Sequence, residues 1–280
     1  MKVERLADAE AFLARAGGWL AEREALHNLT LGVVHRYAAS PGVYGDVVPY
    51  FGVAVEGGRI VACVSRTAAV GAILSEVDAD GAAEALAGDV HDALPGLAGV
   101  VGPSAGTKRF AATWAELSGA APRVALEQLI YEAESVVVPD VPGRARAYRR
   151  DDRELVVDWL AAFAGEVLLP ERVDPEEFLD RRLADPDTTV LLWEDGDEPV
   201  SLAMSGSPTP KGIRVGPVYT PPPRRRRGYA AAVTAEVTRR ALEGGRRYCF
   251  LYTDAANPTS NSVYRGIGYR LVGDATQWRF

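Results

Sequence analysis

The chain has 280 residues, 48% of them hydrophobic and 25% charged, a composition that suits one or two folded cores and excludes disorder, collagen and miniature scaffolds. Two cysteines, Cys63 and Cys249, make no disulfide framework, and His27, His35 and His91 show no metal-ligand spacing, so no metal site is expected. No apolar stretch reaches the roughly 18 residues of a membrane span, and the start MKVERLADAE lacks a signal-peptide core, which predicts a cytoplasmic protein without a membrane partner.

In chain order, Asp8 caps a first helix expected to stop at Gly17 and Gly18, and Trp19, Leu20, Leu26, Leu29, Leu31 and Val34 supply the apolar positions of a second. Alternating runs at 50–55 and 60–66 around Glu56-Gly57-Gly58-Arg59 read as a hairpin. A third run at 70–77 leads into an alanine-rich helix ending before Pro95. A short strand near Val100, a helix around Trp114 and a strand-like run at 124–138 follow.

The segment Val138-Pro139-Asp140-Val141-Pro142-Gly143 is turn chemistry between two strand-like runs and divides the chain into a domain at 1–140 and another at 144–280. The second reads strand (144–148), helix (152–164), helix (174–184, Asp174 as cap), strands (188–194, 198–205, 212–220), helix (228–243), strand (247–253), short helix (258–265) and closing strands (269–280). Strands and helices intermix without strict alternation, which predicts an α/β (α+β) fold with a mixed sheet.

The net charge of -7 is unevenly spread: residues 211–280 hold 13 bases against Glu236, Glu243, Asp254 and Asp274. An anionic ligand is expected there. Within this segment a strand runs through Val218, Tyr219 and Thr220 into three prolines, then Arg224-Arg225-Arg226-Arg227-Gly228-Tyr229-Ala230, then a helix. Helix-start N–H groups lack intrahelical partners and the helix dipole adds positive potential, while small residues let phosphate oxygens reach the main chain.

Arg225-x-x-Gly228-x-Ala230 resembles the Q/R-x-x-G-x-G/A signature of the GCN5-related N-acetyltransferases, whose loop holds the coenzyme A pyrophosphate. Downstream, Asn257, Ser260, Tyr264, Gly268 and Tyr269 in NPTSNSVYRGIGY resemble that family's second cofactor motif. Asn257 caps a helix begun by Pro258, and Asn257, Asn261 and Tyr264 share adjoining positions on it. The run VYTPPPRRRRGYA is similar to the carboxyl-terminal half of glycine N-acyltransferases.

The resemblance implies two tandem acyl-CoA N-acyltransferase-like domains, the first degenerate, with acetyl-CoA as co-substrate and a small-molecule amine as acceptor. It places the thioester against Val218, Tyr219 and Thr220 and makes Tyr264 the general acid. Many relatives carry a glutamate on the fourth strand as base, whereas Gly212-Ile213-Arg214-Val215-Gly216-Pro217-Val218 has no carboxylate. Glu166 and Glu171, at the acceptor side, are the substitutes. EALHNLTLG at 24–32 resembles the amino-terminal half of two-domain members, in which Glu24 and Asn28 would line a substrate cavity.

The alternatives are a non-catalytic acyl-CoA-binding or regulatory protein, an acyltransferase using a longer acyl-CoA, and a nucleic-acid-binding module, which the acidic remainder and the lack of interleaved aromatics near Arg224 disfavour. The sequence carries no signal of oligomeric state. If 70–77 is the first domain's fourth strand, the helix after it begins among Glu76, Asp78, Asp80 and Glu84, with no arginine, and would repel a pyrophosphate.

Overall fold

A computed structural model describes residues 1–68, 71–166 and 174–280. The chain divides into two compact units, 1–130 with 272–280, and 131–271. The first half comprises β1 (Lys2–Arg5), α1 (Ala9–Glu22), α2 (Glu24–Ala39), β2 (Tyr50–Glu56), β3 (Arg59–Ala68), β4 (Gly71–Leu74), α3 (Ala82–Ala93), β5 (Gly99–Pro103), α4 (Ser104–Ser118) and β6 (Arg123–Ala133). The second half repeats that order: β7 (Arg144–Ala147), α5 (Arg153–Glu166), α6 (Pro175–Leu183), β8 (Thr189–Asp195), β9 (Glu198–Gly206), β10 (Gly212–Tyr219), α7 (Tyr229–Glu243), β11 (Tyr248–Asp254), α8 (Pro258–Gly266) and β12 (Arg270–Arg279).

In the first unit, β1 to β4 form an antiparallel meander, β5 joins β4 in parallel, and the end of β12 closes the edge against β5. Phe12, Leu20, Leu31 and Val34 pack on Phe51, Val53 and Cys63, while Leu86, Val90, Phe110 and Trp114 cluster with Ala54, Val64, Leu74 and Val100. The second unit has the same plan. β7, β8, β9 and β10 are antiparallel and β11 lies parallel to β10. Val156, Trp159, Leu160 and Leu179 of α5 and α6 pack with Val190, Leu192, Leu202 and Met204. The alternate strand residues Leu191 and Ala203, also fully buried, point the other way, toward α7 with its small buried side of Ala232, Val233 and Ala235.

Two boundaries differ from the sequence reading for physical reasons. The unit boundary falls at 130/131, and 272–280 belongs to the first unit, because Ala275–Arg279 pairs residue by residue with Gly99–Pro103 and Phe280 stacks 5.1 Å from Trp114. The first helix runs through Gly17 and Gly18 to Glu22, since Phe12, Ala16 and Leu20, all fully buried, hold one continuous face. That burial outweighs the cost of about 1 kcal/mol per helical glycine.

Candidate active site

The site is built where β10 leaves β11. Their parallel pairing covers only Gly212–Arg214 against Tyr248–Phe250, so the β10 edge beyond Arg214 has no strand beside it on that side. On the other side β10 stays paired with β9 through Val218 and Tyr219, past a register shift after Val215. The carbonyl of Tyr219 turns toward β9, where the Ser201 hydroxyl donates to it at 3.0 Å. Because main-chain groups alternate along a strand, those of Val218 and Thr220 turn toward the gap, and the Thr220 carbonyl accepts there from Arg225 Nε at 2.8 Å.

The loop after β10 contains a 3₁₀ turn at Pro222–Arg224 and then two positive-φ residues, Arg226 (φ 62°) and Gly228 (φ 85°). Gly228 precedes α7, whose first turn has no side-chain cap, so its opening N–H groups have no side-chain acceptor. A methyl group on Gly228 would also come within 2.9 Å of Val141 Cγ2, so both conformation and space require glycine.

The four arginines divide. Arg224 pairs with Glu198, and Arg225 holds Glu166 with two bonds of 2.6 and 2.7 Å while its guanidinium lies 5.8 Å from the Tyr219 ring centroid. Arg226 and Arg227 are exposed beside the helix start. Tyr229 is buried, donating to Asp195, and serves as an anchor for the loop.

The next element after β11 is α8. Asn257 Oδ1 caps it by accepting from the Ser260 N–H at 3.0 Å. Asn261, 5% exposed, spends its NH₂ group on the carbonyls of Asp254 and Asn257, and its Oδ1 is buried without a hydrogen-bond partner. Such an orphan acceptor costs roughly 1–3 kcal/mol unless a ligand donor meets it. Pro139, Ala231, Pro258, Thr259, Ser262 and Ile267 line a cavity of about 610 Å³ between α7 and α8. Tyr264 lies between the rings of Tyr131 and Tyr269, and burial pushes its phenol up to about 12, so it keeps its proton at neutral pH.

An uncapped helix start, a glycine cradle, two exposed arginines and an orphan amide oxygen fit a pyrophosphate joined to an amide-bearing arm, which is the chemistry of coenzyme A. The structure thus brings 218–220, 224–230, 257–264 and Glu166 into one unit. Glu171 lies outside the described residues. Glu24 and Asn28 are buried on α2 in the first unit. Sequence reading passed over Tyr131, whose strand reads as the end of the first half, and the Arg225–Glu166 pair, which joins residues 59 positions apart.

Among the described residues, no group of three His, Cys, Asp or Glu side chains is placed to hold a metal, and no helix is long and apolar enough to cross a membrane. Comparison with curated proteins finds no match. Among solved structures, a Drosophila protein is 16% identical over 99% of this chain and 98% of its own, with a TM-score of 0.66. A GCN5-related N-acetyltransferase from Sphaerobacter thermophilus is 16% identical over 99% and 95%, with a TM-score of 0.62. A tandem GNAT protein from the clavulanic acid biosynthesis pathway is 13% identical over 99% and 98%, with a TM-score of 0.60. These likenesses establish a shared fold. Residues 153–269 match the model of the Acetyltransferase (GNAT) family, so this segment is similar to a GNAT acetyltransferase domain.

Proposed function

We propose that the second unit is an N-acetyltransferase moving the acetyl group of acetyl-CoA onto the primary amine of a small molecule. The observation that carries this reading is the open edge of β10 beyond Arg214, followed in the chain by the uncapped start of α7 and accompanied in the same unit by the phenol of Tyr264. In this reading the N–H groups of Gly228, Tyr229 and Ala230, with Arg226 and Arg227, bind the pyrophosphate, and Asn261 Oδ1 accepts from an amide of the arm. The Val218 N–H polarises the thioester carbonyl and stabilises the oxyanion that forms on amine attack. Tyr264 then protonates the departing thiolate.

β10 offers no carboxylate as base. Glu166 has both oxygens held by Arg225, and acts as base once coenzyme phosphates draw that guanidinium away. A chain-terminal α-amine, with a pKa of about 7.7–8.0, needs less help than a lysine amine at about 10.4, so peptide α-amines are the favoured acceptors. The test is thiol release from acetyl-CoA across amino acids, amino sugars, polyamines and peptides. Turnover with any of these amines supports the reading, and a preference for peptide α-amines supports the acceptor class; a melting shift with acetyl-CoA but no thiol release with any amine would identify a non-catalytic acyl-CoA binder instead.

A further inference from the structure

The side chain beneath α8 is Tyr131, from the end of β6, the strand on which the chain passes into its second unit. Tyr131 is fully buried, and its hydroxyl has no hydrogen-bond partner. Its ring centroid lies 6.4 Å from that of Tyr264 at an interplanar angle of 53°, and the guanidinium of Arg265 sits 5.8 Å from the centroid of Tyr131.

The other groups beside Tyr264 are occupied or neutral. The Tyr269 hydroxyl is 2.7 Å from Thr238 Oγ1, a bond that fixes this neighbour to α7. Cys249, adjacent to Tyr269, is buried and its thiol is pushed up to about 12. A buried hydroxyl without a partner costs roughly 1–3 kcal/mol, a cost that is offset where the hydroxyl serves another state of the protein.

Resting on the reading of Tyr264 as general acid, we propose that Tyr131 is a positioning residue for it: in the coenzyme-loaded enzyme the Tyr131 hydroxyl donates a hydrogen bond to the phenol oxygen of Tyr264. As the Tyr264 O–H bond breaks and the S–H bond forms, negative charge passes from the thiolate to the phenol oxygen. The Tyr131 hydrogen bond aims that oxygen at the sulfur beforehand and stabilises the phenolate afterwards, until a solvent proton restores the phenol. In this water-poor site one such bond is worth more than at the surface.

The test is a double-mutant cycle with Tyr131→Phe and Tyr264→Phe, read by kcat, the KM for acetyl-CoA and thermal melting. Tyr131→Phe keeps the ring and removes only the orphan oxygen, so the variant melts at or above the wild-type temperature while kcat falls about tenfold and the KM for acetyl-CoA stays within twofold. In the Tyr264→Phe background the same change has no further effect on kcat. A Tyr131→Phe enzyme with wild-type kcat, or one whose loss persists in full without the Tyr264 hydroxyl, overturns the inference. Wild-type turnover in Tyr264→Phe alone overturns the general-acid reading instead.

Discussion

Replacing Gly228 by alanine tests whether the start of α7 binds phosphate, because its cost separates into two parts that can be measured independently. The first is strain: φ is 85°, and a left-handed conformation costs an L-residue about 1–2 kcal/mol. Contact adds to it, since the new methyl group would stand 2.9 Å from Val141 Cγ2 and one side must move. At about 2–4 °C per kcal/mol for a protein of this size, the melting temperature falls by about 3–8 °C. The second part is ligand binding: a displaced cradle withdraws N–H donors from the pyrophosphate, and coenzyme A affinity falls by tenfold or more, about 1.4 kcal/mol. Gly245 is the control. Its φ is 97° with nothing within 4 Å of an added methyl group, so Gly245→Ala carries the strain alone at the opposite end of the helix. Calorimetric titration of both variants with coenzyme A decides. Equal affinity in Gly228→Ala and Gly245→Ala would remove the phosphate-loop assignment, however large the melting shifts.

Tyr264→Phe lowers turnover by roughly 10² with little change in coenzyme affinity, because a general acid acts in the transition state; unchanged steady-state turnover would assign the phenol a packing role. With the Tyr264 phenol pushed up to about 12, activity shows no alkaline fall below pH 10 from this group, and a fall centred near 8 would exclude it as the acid. The stability of the first unit decreases in acid through His27, whose buried imidazole is pulled down to about 4. Its folded pKa lies below the value of about 6.5 in the unfolded chain, so the unfolded state binds the extra proton between these values, and stability is full above 6.5 and lost by about 3 kcal/mol as pH falls to 4. Chemical denaturation at a series of pH values checks this: His27→Gln removes most of that slope, and an unaltered slope would place the acid sensitivity elsewhere.

Chain-local features were legible in advance. The loop from Arg224 to Ala230 and the helix from Pro258 to Gly266 each place their candidate binding groups within a few residues, so the spacing in the sequence is enough to propose them. Features that join distant elements were not legible. Arg225 meets Glu166, His27 meets Glu76 and Tyr131 meets Tyr264 only because the topology brings those strands and helices together. The exchange of the last strand is of the same kind: Val138–Gly143 has the composition of a boundary, yet the pairing of Ala275–Arg279 with β5 decides where the units divide. Local composition also misjudged the start of α3. It begins at Ala82 behind Gly81, so Glu76, Asp78 and Asp80 lie in the preceding loop, and Glu84 alone remains in the first turn.

That loop gives a physical basis for expecting one coenzyme per chain, on a different footing from charge repulsion alone. In the first unit the place equivalent to the β10 gap is filled by the protein itself. The Leu74 carbonyl oxygen would lie 2.2 Å from a methyl group on Gly102, so β4 and β5 remain in close contact where β10 and β11 have parted, and Val77 packs on Gly106 at the start of α4. The Glu76 N–H, which follows β4 as the gap-facing groups end β10, donates to His27 Nε2 at 3.2 Å, while His27 Nδ1–H is fixed on the Leu20 carbonyl at 2.9 Å. Arg23 binds the Glu76 carboxylate at 2.7 Å and also pairs with Asp78, so the basic group brought to this loop is consumed by its own acids. A thioester entering there would have to displace a neutral, buried imidazole and a paired guanidinium together, and the other arginine at the loop, Arg109, is itself paired with Asp80 at 3.0 Å. Titration with coenzyme A is therefore expected to give one site per chain, weakened by Gly228→Ala and unaffected by Asp78→Asn or Asp80→Asn. Two sites per chain, or a single site lost on changing Asp78 and Asp80 but retained in Gly228→Ala, would move coenzyme binding to the first unit and refute the assignment.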